Sequence, residues 1–239
     1  MPLFRRTAPN GPAPESADCA AHEPCRRLLA IPPQERESRL RLMLTSVAET
    51  GRGDVSAHLN PELAGRLVAM DVQRDPRVAA NALVIPVHFL PRWDATSREL
   101  LDLALANGTR QKLDISKHEL GEDAVMYTVG RPDLIDATQL LRLDQVLGRE
   151  LPFGAYVTVP KVNAVTVLPL TRAPHMAMLP DVLALQHRVA AQGPAAPSMD
   201  AFWFHDGKLD PLNAQMNGGQ MERYLPPEGF QEKMAQLPR

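Results

Sequence analysis

The chain has 239 residues, 44% of them hydrophobic and 23% charged, with a formal net charge of -2. That length accommodates one large domain or two small ones, and that apolar content can fill a sizeable core, which excludes a chain disordered throughout. The near-neutral charge removes the usual electrostatic case for nucleic acid or an anionic membrane as partner.

Two cysteines against 23 prolines exclude a disulfide scaffold. The opening stretch MPLFRRTAPNGPAPESADCA carries two arginines with no apolar tract behind them. A secretory signal needs such a tract, and no window of the chain approaches the roughly 20 apolar residues of a membrane span. The expectation is a soluble, cytoplasmic protein.

In chain order, residues 1–23 read as a flexible leader rich in Pro and Ala. After Pro32-Pro33, the stretch QERESRLRLMLTSVAETG predicts a helix ending at Gly51, with Leu40, Met43, Leu44 and Val47 on one face. GRGDVS reads as a turn, lacking the Lys-Ser/Thr ending of a phosphate loop. ELAGRLVAMDVQ (62–73) is ambiguous between helix and strand. NALVIPVHFL (81–90) predicts a strand, and Pro86 puts it at an edge because a ladder donor is missing there.

TSRELLDLALANG is the clearest helix. Thr96 and Glu99 have capping-box spacing, Leu100, Leu101, Ala104 and Leu105 form an apolar stripe, and Asn107-Gly108 ends it. DAVMYTVG (123–130) predicts a strand and RPDLIDATQLLRLDQVLG a helix. AYVTVP and AVTVLPL pair as a hairpin with Lys161 and Asn163 near its tip. A helix over about Met176–Ala191 precedes AFWFHDGKLDPL, where Asp206-Gly207 signals another hairpin. This order predicts an α+β fold: a single domain over 24–212, a mixed or mainly antiparallel sheet, amphipathic helices packed on it, and a C-terminal tail over 213–239.

Three segments, TSRELLDLALANG, DATQLLRLDQVLGRELPFGAYVTVPKVNAVTVLPL and PSMDAFWFHDGKLDPL, taken in this order, resemble the YtpQ-like family of uncharacterised bacterial proteins over roughly residues 94–212. The resemblance implies a bacterial α+β protein and no reaction. It departs from the family pattern at Pro160-Lys161-Val162-Asn163, where the family has Asn-Arg-Asp after its Val-Pro.

Reactive groups are sparse. Cys19, His22 and Cys25 sit three apart, as ligands of a soft metal do. A structural zinc site needs four ligands, and a fourth would have to come from an isolated histidine such as His118, so the reading is reduced thiols in a mobile arm and no metal. No Gly-X-Ser-X-Gly elbow occurs, and the histidines show no metal-binding repeat. Consecutive Phe202, Trp203 and Phe204 on a strand send Trp203 to the face opposite its neighbours, toward a helix or toward a partner. Arg92, Trp93, Lys161, Asn163 and Trp203 are therefore the candidate binding residues, and no catalytic residue is assigned. The leading expectation is a non-catalytic protein without cofactor that binds another protein. The alternative is a hydrolase or transferase whose site assembles in the fold around a histidine such as His88 or His118.

Overall fold

The computed structural model describes residues 22–71, 82–121, 123–192, 196–217 and 220–239. The fold is α+β with antiparallel sheets and helices packed against strands. The chain forms two compact units: one takes residues up to Gln111 plus Asp136–Thr138, the other Lys112–Ile135 and Gln139–Arg239. Of the leader read over 1–23, residues 1–21 lie outside the described residues, and Glu23 already begins a helix.

The first unit contains α1 (Glu23–Leu29), α2 (Pro33–Arg39), β1 (Leu40–Ser46), β2 (Ser56–His58), β3 (Leu63–Met70), β4 (Ala82–Val84) and α3 (Ser97–Gly108). β3 is the centre of a four-stranded sheet. β1 pairs along one side of it, from Leu40↔Ala69 to Ser46↔Leu63. The other side is shared by β2, opposite Ala64 to Arg66, and β4, opposite Val68 to Met70. The helix expected through Gly51 stops at Arg39, and its remainder is β1 and a short 3-10 turn. The physical reason is alternation: Leu40, Leu42 and Leu44 are fully buried while Arg41 and Met43 are half-buried, a two-residue period that fits a strand. α3 packs on β1 and carries the expected capping box, with Thr96 Oγ1 accepting from Glu99 N at 3.3 Å and Glu99 Oε2 accepting from Thr96 N at 2.8 Å.

Asp136 replaces a neighbouring strand for β1. Its Oδ2 accepts from Leu42 N at 3.0 Å, and its Oδ1 accepts from Thr138 N at 3.0 Å and Thr138 Oγ1 at 2.7 Å. Its own N–H donates to Gln111 Oε1 at 2.9 Å. Burial raises the Asp136 pKa above the ordinary aspartate value, against the three donors that lower it. Gly108 is required beside it, since a Cβ there would stand 2.4 Å from Asp136 Oδ1. The expected helix over 131–148 is thereby confined to a 3-10 turn and α4 (Leu143–Leu147), because an unbroken buried run from Leu134 to Leu140 has no solvent face for a helix to present.

The second unit comprises β5 (Asp114–Gly121), β6 (Ala124–Gly130), α4, β7 (Ala155–Lys161), β8 (Ala164–Pro169), α5 (Leu179–Ala190), β9 (Ala201–His205), β10 (Lys208–Pro211), β11 (Gln215–Asn217), β12 (Gln220–Arg223) and α6 (Phe230–Met234). Six of the strands form an antiparallel sheet in the order β10-β9-β7-β8-β6-β5. Both hairpins read from sequence are present, β7–β8 and β9–β10. α5 packs on β7, and a core joins Tyr156, Leu168, Val182, Leu183 and Trp203. The end of the segment read as a tail over 213–239 is anchored: Phe230, Met234 and Leu237 belong to that same core, and Ala173 N donates to Pro238 O at 2.8 Å. Phe230 and Met234, four apart on one face of α6, and Leu237 in the turn just after it supply the reason. Among the described residues no helix is long and apolar enough to cross a membrane.

Candidate functional site

Among the described residues, the chemically densest place is in the first unit, where α1 meets the segment after β4. Pro24 in the first turn of α1 fixes a helical φ, and Cys25 and Leu28 bury their side chains fully. Arg27 Nη2 holds the outer side through Asp71 Oδ2 at 2.5 Å. α1 packs on β4. After β4, Pro86 interrupts the ladder and starts a tight 3-10 helix over Val87–Trp93, so His88 lies on this turn and not in the strand predicted over 81–90. The turn presents the His88 ring to α1.

The result is a thiol between two imidazoles. Cys25 Sγ lies 3.3 Å from His22 Nδ1 and 3.4 Å from His88 Nε2. The two rings stand edge to face with centroids 6.1 Å apart. Cys25 is 0% exposed, His88 is half-buried and His22 is exposed. Sequence spacing grouped His22 and Cys25 with Cys19, which lies outside the described residues. The partner it missed is His88, 63 positions beyond Cys25, and no local pattern announces a contact of that separation. The expected mobile arm is corrected as well, since Cys25 is part of the core. Chemically, the group can exchange a proton between sulfur and nitrogen or donate three soft and borderline lone pairs. Attack on a substrate is disfavoured, because a nucleophilic thiol has to be reached and this one is enclosed.

The second feature is β5, the terminal strand of the six-stranded sheet. All eight of its residues are exposed, although its neighbour β6 buries Ala124, Met126, Tyr127 and Val129. β5 pairs with β6 from Asp114↔Gly130 to Glu119↔Val125. Ile115 is 41% and Leu120 40% exposed, among Asp114, Lys117, His118 and Glu119. His118 Nε2 lies 3.0 Å from Thr128 Oγ1 across the pair, so this histidine faces a hydroxyl and not the cysteine.

The other sequence candidates fall in different environments. Arg92 is exposed at the end of the His88 turn. Trp93 is half-buried, edge to face with Phe89 at 5.2 Å and with the Arg36 guanidinium 5.3 Å from its ring centroid, a packing role. Lys161 and Asn163 do flank the β7–β8 turn, both half-buried, and Asn163 Nδ2 donates to Arg131 O at 3.2 Å. Trp203 is 3% exposed, donates Nε1–H to Phe153 O at 3.1 Å and meets Phe230 edge to face. That burial removes it from any binding surface; both faces of β9 are covered, as Phe202 and Phe204 are buried too. Comparison with family models, curated proteins and solved structures finds no match to this chain.

Proposed function

We propose that this is a non-catalytic cytoplasmic protein that binds another protein, taking an extended segment of the partner alongside β5. One observation carries this reading: eight consecutive residues, Asp114–Gly121, stand exposed at the end of a six-stranded sheet whose next strand is buried. A terminal strand offers a row of backbone donors and acceptors on its outer side, and an added strand satisfies them while alternate side-chain contacts set specificity. Ile115 and Leu120 supply apolar contacts, and Asp114, Lys117 and Glu119 discourage indiscriminate edge pairing. The enclosed Cys25 supports the non-catalytic part, since the fold-assembled histidine site of the rival hydrolase or transferase needs its nucleophile within reach of substrate.

The test is in-cell photo-crosslinking from position 115, with affinity recovery under gentle conditions. The reading expects one protein in stoichiometric yield, sharply reduced by the double change Ile115→Glu and Leu120→Glu. Recovery of no partner, or equal recovery with the double variant, contradicts it.

A further inference from the structure

We infer that His22, Cys25 and His88 bind a zinc ion, which clips α1 to the turn after β4. Among the described residues these three are a group whose ligand atoms all lie within 4.8 Å of one another. They come from two chain segments, so their convergence is a product of the fold and not of local spacing. Two edges of the group suit the ion. With Zn–S near 2.3 Å and Zn–N near 2.05 Å, a tetrahedral site sets sulfur and nitrogen about 3.5 Å apart. The Cys25 Sγ distances of 3.3 and 3.4 Å to the two imidazole nitrogens agree with that edge.

The donor set also points to zinc. One thiolate and two neutral imidazoles combine soft and borderline ligands, whereas calcium and magnesium require oxygen. The ring atoms are specified too: His22 offers Nδ1 and His88 offers Nε2, leaving each ring's other nitrogen for its N–H. Binding displaces the thiol proton of Cys25 to solvent, so charge and atoms balance without any redox partner. Three ligands come from the described residues, and exposed His22 lies at the solvent side of the group. This inference is independent of the β5 reading, whose failure leaves it standing.

The experiment strips the full chain with chelator and titrates it with Zn2+, then with Co2+ as an optical probe. The expected result is one ion per chain and a sulfur-to-cobalt charge-transfer band. His22→Ala, at an exposed position, should leave the metal-free melting temperature unchanged and weaken binding by more than the roughly 10–100-fold that outer-shell changes cost. Cys25→Ser should abolish the charge-transfer band. Failure of the parent to bind either ion overturns the inference. So does undiminished binding by His22→Ala.

Discussion

Replacing Asp136 by alanine probes the device that completes the first unit's sheet. The carboxylate accepts hydrogen bonds from Leu42 N, Thr138 N and Thr138 Oγ1. Alanine leaves both amides facing a void, at about 1–3 kcal/mol for each buried donor without an acceptor. The Thr138 hydroxyl can rotate toward another acceptor and adds little. Against this, the parent holds a desolvated carboxyl whose pKa burial has raised, so its removal recovers part of the cost. The net expectation is a loss of about 2–4 kcal/mol. At a urea slope of about 1–3 kcal/mol/M, the unfolding midpoint falls by roughly 0.7–4 M. Amide exchange of β1 and β3 peptides, run beside the urea titration, assigns the loss to the first unit. Asp136→Asn keeps an acceptor for Thr138 and sets an amide NH2 donor against the Leu42 N–H, so it should fall between parent and alanine. An unchanged midpoint in Asp136→Ala would refute the strand-replacement role.

The same residue carries a pH signature: a folded carboxyl with a raised pKa contributes stability that is complete below the ordinary aspartate pKa and lost as pH rises through the folded value. The parent-minus-Asp136→Asn stability difference, followed by urea midpoints from acid upward, should therefore decline over that interval and then level off. Gly154 has φ +79°, and a Cβ there would lie 2.2 Å from Phe204 O and 2.4 Å from Trp203 Nε1. Gly154→Ala should cost about 2 kcal/mol or more in thermal unfolding and disturb Trp203 fluorescence. Phe230→Ala removes a fully buried ring packed against Tyr156, Trp203 and Tyr224 and should cost about 3–5 kcal/mol, whereas a loosely tethered tail would leave the melting temperature unchanged.

Where local rules and tertiary demands agreed, the sequence was readable. Thr96 and Glu99 satisfy each other within one turn, so the capping box is visible from four residues. The β7–β8 and β9–β10 hairpins announce themselves through β-branched runs and the Asp206-Gly207 turn, where both residues adopt positive φ. Leu40, Met43, Leu44 and Val47 satisfied a helical period by coincidence, while the alternation of Leu40, Leu42 and Leu44 marked the strand that forms. β5 escaped notice because DISKHELG exposes both faces and so carries no hydrophobic period. Asp136 lies within the segment 131–148 read as a helix, since nothing local shows that its oxygens serve Leu42, 94 positions away. The Cys25–His88 approach is invisible for the same reason, and burial of Cys25 overturned the expectation that this thiol sits in a mobile arm.

Hydrogen–deuterium exchange of the protein with its recovered partner tests the functional reading most directly. In the isolated chain, amides of 114–121 should exchange faster than those of the buried strands β7 and β8. The partner should slow exchange over Asp114–Gly121 by at least about tenfold, as new backbone hydrogen bonds form along the strand. Protection confined to other segments, with β5 exchanging at its isolated rate, would contradict recognition at that edge.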